Sequence, residues 1–179
     1  MTVLTDTTRL GLPTGTWSLD PVHSTIGFEL PYLAGTFRGQ FEDVEAKLTE
    51  ESLTGSARVA SIDVKDENLS AHLQGPDFFD AERHPELEFE SQELERSGEA
   101  LTVRGEIAIR GVTKPVELAG TISEPITDYA GRERVGLKLE TTVDRTDFGV
   151  NWNAPLPSGE PALANEVKLV TELYFVREA

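Results

Sequence analysis

The sequence predicts an all-β fold, an eight-stranded antiparallel β-barrel accompanied by one short helix. Two observations carry this expectation. Apolar side chains recur at every second residue through about eight segments, as in strands with a single buried face. A helical period shows only over Asp66 to Gln74, where Leu69 and Leu73 stand four residues apart on a polar background. Strands of this kind lose their exposed edges most simply by closing into a barrel. A two-sheet sandwich has the same pattern, and the number of strands does not separate the two.

Residues 1–14 are polar and broken by Pro13, so they are expected to form a flexible arm ahead of a barrel domain over 15–179. The first clear strand sets Ile26, Phe28 and Leu30 against Thr25, Gly27 and Glu29. Phe37 and Phe41 share a parity around Gly39, and Ala57 with Val59 continues the pattern weakly. Leu87, Phe89 and Ser91 oppose Glu86, Glu88 and Glu90, a clean split between a core face and a wet one. Leu101, Val103, Gly105, Ile107 and Ile109 form the next run, followed by Val116, Leu118, Gly120 and Ile122. Val135, Leu137, Leu139, Thr141 and Val143 precede the last, Val167, Leu169, Thr171, Leu173 and Phe175. That final segment also carries Val170, Tyr174 and Val176 on its other face, so it reads as covered on both sides. Gly27, Gly39, Gly105 and Gly120 fall within the runs. They read equally as barrel bends and as interior volume left unfilled.

Charge and composition exclude several functions. The chain has 179 residues, a net charge of -16 and no cysteine. Such an acidic surface is repelled by nucleic-acid phosphates and anionic membrane faces. Without cysteine there are no disulfides, thiolate zinc sites or thiol nucleophiles. No signal-peptide pattern is visible near Met1, and no run approaches the roughly 20 apolar residues that span a bilayer. The expectation is a cytoplasmic protein without stable membrane insertion.

No catalytic constellation assembles. His23, His72 and His84 are not spaced as metal ligands. Asp144-Arg145-Thr146-Asp147 reads either as an acid/base pair around an arginine or, more simply, as an arginine satisfying a barrel end. No serine sits in a nucleophile elbow, and no glycine-rich phosphate loop occurs. The chain is therefore read as a binding protein. The alternative is an enzyme acting on an apolar substrate in the barrel, with His72 or Asp147 as its base.

Five blocks in order resemble one family. Trp17-Ser18-Leu19-Asp20-Pro21-Val22-His23-Ser24 is similar to the opening of YceI-like proteins, the lipocalin-like polyisoprenoid-binding barrels. Phe37-Arg38-Gly39-Gln40-Phe41 resembles their second strand. His72-Leu73, Asp77-Phe78-Phe79-Asp80 and Pro85-Glu86-Leu87-Glu88-Phe89 together resemble their central signature. The hairpin around Arg110-Gly111 and the Asp144 to Gly149 segment, with Asn165-Glu166-Val167 after it, complete the match from Gly15 to Arg177. The resemblance implies an eight-stranded lipocalin-like barrel, a helix and loop near its mouth, and an extended pocket for an isoprenoid chain. It also implies a homodimer as a common state. Two departures stand out. Leu69-Ser70 replaces a frequent Arg-Asp pair, and Pro31-Tyr32 replaces a frequent Lys-His. Both remove charge near the expected mouth, which favours a neutral head such as a quinone over a diphosphate.

An eight-stranded barrel is the size at which the interior either just fills or holds one small ligand. The inward candidates are Ile26, Phe28, Leu30, Phe37, Phe41, Leu87, Phe89, Leu101, Val103, Ile107, Leu118, Leu137, Leu139, Leu169 and Leu173. Phe148 joins them, and so does His72, which is expected to face the mouth. Each buried methylene contributes about 0.8 kcal/mol, so a long tail has ample driving force even after ordering costs. The expected partner is a hydrophobic small molecule, a polyisoprenoid or isoprenoid quinone held for carriage or storage. No other cofactor is expected.

Overall fold

The computed structural model describes residues 12–179. Eight antiparallel strands run up and down in sequence order. β1 comprises Trp17–Leu19 and Thr25–Tyr32, β2 Gly35–Phe41 and Val44–Leu48, and β3 Leu53–Arg58 and Ile62–Asp63. β4 (Glu86–Ser97), β5 (Ala100–Ile109), β6 (Val112–Ile122), β7 (Glu133–Asp144) and β8 (Glu166–Arg177) follow. Each strand pairs with the next, and β8 returns to β1 through Leu169↔Phe28 and Arg177↔Trp17. The wall is therefore a closed barrel, and the sandwich is excluded. A short strand, Ile126–Thr127, lies against the start of β7.

The alternation read from the sequence survives because each parity faces one medium. In β4 it holds only to Ser91, where a bulge shifts the register before Glu93. The extra residue turns Leu94 and Arg96 inward after Leu87 and Phe89. Between β5 and β6 the turn is Arg110-Gly111, both at positive φ (52° and 75°), the geometry that matches the twist of a two-residue hairpin.

Helix α1 (Glu67–Gln74) lies between β3 and β4. Asp66 starts it by accepting the Leu69 N–H at 3.0 Å. Its apolar residues, Leu69 and Leu73, pack against the cluster at one end of the barrel.

The two ends of the bore differ. At one, Trp17, Leu48, Leu101, Val103, Val135, Leu137 and Phe175 are at most 1% exposed and fill the interior. At the other, Phe28, Phe41, Ile62, Leu73, Phe78, Ile109, Phe148, Val150 and Leu163 form a second cluster. Of the expected arm, residues 1–11 lie outside the described residues. Leu12 packs against the closed-end cluster, Pro13 is buried, and the Thr14 carbonyl accepts the Trp17 Nε1–H at 3.1 Å.

The glycines follow the bending reading rather than the empty-volume one. A side chain at Gly120 would collide with the Lys138 carbonyl, and one at Gly105 with the Glu90 carbonyl, so both mark close strand approach. At Gly39 a Cβ would meet the Phe28 ring at 2.6 Å and Val64 at 2.9 Å. The space left by that missing side chain is occupied by Phe28.

Candidate functional site

Above the packed end lies a cavity of about 670 Å³, within the roughly 300–1,000 Å³ of small-molecule sites. Its wall takes inward residues from the strands: Ile26, Phe28 and Leu30 from β1, Phe37 and Phe41 from β2, and Ala57 from β3. Leu87, Phe89, Ile107, Leu118, Leu139, Leu169 and Leu173 continue it around the barrel. His72 and Phe148 stand at its mouth. Tyr32, Thr36, Arg38 and Lys65 are exposed members of the lining, so the cavity meets solvent there.

Three residues assigned to the wall from sequence do not reach it. Leu101, Val103 and Leu137 are 1%, 0% and 0% exposed in the closed-end cluster, packed with Trp17 and Phe175. Alternation reports which side of a strand faces inward. It does not report height along the bore, and height decides between plug and cavity.

Other wall residues came from segments without strand periodicity. Leu69 and Leu73 of α1, Phe78 and Phe79 of the following turn, and Val150, Trp152 and Leu163 of the 149–165 segment cover the open end. Leu69 and Leu73 had shown the helical period, but for Phe78, Phe79, Val150, Trp152 and Leu163 the sequence signal was only a scatter of large apolar residues in loops. The rings at the mouth meet edge to face or tilted. His72 stands 5.0 Å from Phe78 and 4.9 Å from Trp152, and Phe28, Phe41 and Phe79 form a second group. Such contacts add to area burial.

The 149–165 segment is held down by polar anchors. Asn153 accepts the Leu163 N–H at 3.0 Å and donates to the Leu163 carbonyl at 2.8 Å. Leu163 also bridges to Tyr32 of β1. Arg145 donates to the carbonyls of Val150 (2.8 Å), Trp152 (2.9 Å) and Ala164 (2.9 Å). Arg110 donates to the Gly149 carbonyl at 2.6 Å. The arginine within the aspartate-flanked cluster thus satisfies a barrel end, as its simpler reading held.

The acid/base alternative finds little support in the geometry. Asp144 accepts the Thr146 N–H (2.9 Å) and Oγ1–H (2.6 Å), which hold its carboxyl below the ordinary range. Asp147 is exposed and lies off the cavity wall. His72 does line the cavity, and its Nε2 lies 3.1 Å from Asp77. His23 lies 2.8 Å from the Asp20 carboxylate rather than on a backbone group, and His84 packs under Gly111.

No helix among the described residues is long and apolar enough to cross a membrane. The sequence and the closed barrel find counterparts in known proteins. A UPF0312 protein of Photorhabdus laumondii is 31% identical over 165 residues, covering 87% of this chain and 82% of that protein. A UPF0312 protein of Staphylococcus epidermidis is 28% identical and covers 89% and 96%. Among solved structures, Burkholderia cenocepacia BcnA superposes with a TM-score of 0.76 at 20% identity, covering 87% of this chain and 98% of BcnA. A polyisoprenoid binding domain from Saccharophagus degradans superposes at 0.70 with 10% identity, over 90% and 98%. At those identities the structures establish the shared fold. The YceI-like domain model matches residues 17–175, and with that span of sequence inside a barrel of this form, the chain belongs to the YceI-like family.

Proposed function

We propose that this protein binds a long apolar lipid within the barrel, a polyisoprenoid or the isoprenoid tail of a quinone, for carriage or storage. The observation that carries the reading is the cavity itself. About 670 Å³ of interior is walled mainly by Phe, Leu, Ile and Val side chains that the barrel does not close over. An apolar space of this kind gains by exchanging solvent for hydrocarbon, at about 25 cal/mol per Å² removed from water. The binding described for the Saccharophagus degradans domain is the same class of ligand in the same fold. We read the site as a holder rather than a catalyst, since His72 serves as a ring contact at its wall and Arg145 as a loop anchor.

The test is direct. Native mass spectrometry of the purified protein should show an added hydrophobic mass that organic extraction removes, and the extract identifies it. Delipidated protein that takes up no prenyl alcohol and no quinone would sink the reading.

A further inference from the structure

The large apolar side chains exposed among the described residues fall into two groups. Val22, Ile126 and Tyr129 sit toward the closed end, among the ion-paired Asp20, Asp128, Arg132 and Arg134. Tyr32 (42% exposed) and Leu33 (60%) stand at the tip of the β1–β2 hairpin, and Tyr32 also lines the cavity. Leu33 is costly to the isolated molecule in two ways. Its side chain is in water and belongs to neither apolar cluster of the barrel. Its backbone is left-handed at φ 54°, a conformation that glycine takes freely and leucine does not. A second tip lies beside it. Leu163 bridges Tyr32 in the antiparallel sense, so the chain before Leu163 runs on in the direction of Leu33. It turns back between Pro155 and Pro161, which bridge each other. Both tips lack charge. Leu30 to Phe37 and Gly149 to Gly159 contain no Asp, Glu, Lys or Arg, in a chain of which 27% is charged.

We propose that these two tips dock the barrel on a neutral, zwitterionic lipid bilayer, with Leu33 and Tyr32 set among the head groups. The ligand passes between membrane and cavity across that contact. The proposal rests on the lipid-binding reading and adds the surface from which the lipid is taken. Three observations favour a bilayer over a protein partner. The patch amounts to a few residues, whereas a specific protein interface takes roughly 20–30 a side. It is continuous with the cavity through Tyr32, so a tail leaving the membrane at this point need not cross water. Its lack of charge also suits a surface of no net charge, while the net charge of -16 on the chain opposes an anionic one. An aliphatic and an amphipathic aromatic side chain at a loop tip match the head-group region. Two such side chains give a shallow, reversible contact, as exchange of a carried lipid requires.

The experiment loads delipidated full-length protein from ethanol with a fluorescent anthroyloxy ester of geranylgeraniol. Phosphatidylcholine vesicles carrying a quencher are then added, and the decay of fluorescence gives the transfer rate. The rate should rise in proportion to vesicle concentration, as transfer by collision requires. In Leu33→Gly it should fall roughly fivefold or more, the tip having lost its apolar side chain. Glycine suits the left-handed turn, and Leu33 is not part of the cavity wall, so folding and loading from ethanol should be unchanged. Tyr129→Ser, in the other exposed group, should transfer as the parent does. Phosphatidylglycerol in the vesicles should slow transfer. A rate independent of vesicle concentration would mean escape through water and overturn the docking. So would full-speed transfer in Leu33→Gly or a loss in Tyr129→Ser. Faster transfer to the anionic vesicles would also overturn it, by assigning the contact to the exposed Arg38 and Lys65. Failure to load at all, with prenyl alcohol and quinone also refused, would instead overturn the lipid-binding reading. Flotation of the unloaded parent and of Leu33→Gly with phosphatidylcholine vesicles would then decide the docking: it stands if the parent floats and the variant does not, and falls otherwise.

Discussion

Each end of this barrel buries an arginine, and the two are treated differently. At the closed end, Arg96 is 8% exposed and donates to the Gly98 carbonyl (2.8 Å) and the Glu124 carboxylate (2.7 Å), so its charge is matched. At the open end, Arg145 meets carbonyls only and keeps a nitrogen over. The apolar residues divide in the same way. Trp17, Leu137 and Phe175 pack to no more than 1% exposure, whereas Leu169 and Phe37 face open volume. One end is finished for stability. The other is left incomplete in packing, and a site for a foreign molecule requires that open volume.

That contrast predicts where mutations hurt the fold. Trp17→Ala removes the largest plug residue, together with its Nε1 bond to Thr14, and should cost about 3–5 kcal/mol. Leu137→Ala should cost about 2–5 kcal/mol by the same mechanism. Leu169→Ala, at the cavity wall, should cost less, about 1–2 kcal/mol, because a side chain bordering a void has fewer contacts to lose. Urea midpoints of the three variants order the effects. Equal losses at Leu137 and Leu169 would mean that the ends do not differ in packing.

The strand faces were legible in the sequence because a two-residue period has a single physical cause, a wall with one wet side. Even the glycines of β5 and β6 kept that phase. Two kinds of information were hidden. Leu101 and Leu169 look alike in the pattern, yet one is plug and the other wall, since height depends on where Trp17 and Phe175 settle. Of the mouth, the helix and His72 were legible, but the 149–165 segment was hidden because Trp152, Leu163 and the Arg145 carbonyl contacts depend on loop conformation, for which no periodicity exists. Arg145 could be assigned to a barrel end, but its leftover nitrogen shows only when the acceptors are placed.

Enlarging a side chain should separate the ends in the opposite direction. Ala57→Phe projects a ring into the cavity, where space exists, so stability should hold while lipid uptake falls about tenfold or more. Val103→Phe, in the plug, should cost about 1–3 kcal/mol through overpacking and leave lipid uptake unchanged in the folded fraction. Uptake by titration and stability by urea are read on the same samples. Undiminished uptake in Ala57→Phe would show that the cavity at this height is not where the tail lies.

The gentlest way to perturb one end alone is acid. Arg134, near the closed end, holds Asp20 at 2.8 Å and Asp128 at 2.7 Å. Burial raises the Asp20 carboxyl, but hydrogen bonds from Arg134, His23 and the Val22 N–H outweigh it and bring it to about 2. Asp128, bonded first by Arg134 and then by the Arg132 N–H, also falls to about 2. Both folded values lie below the roughly 3.9 of an unfolded aspartate. Their stabilisation is therefore complete above about pH 5 and is lost as pH falls through 4 toward 2. Arg134→Met should lower the melting temperature at pH 7 and flatten its decline between about pH 5 and 2. Hydrogen exchange in the same range should rise first around residues 18–24 and 126–134, and later in the mouth segment. An acid decline as steep in Arg134→Met as in the parent would assign it to other carboxylates, and the closed end would then owe its strength to packing alone.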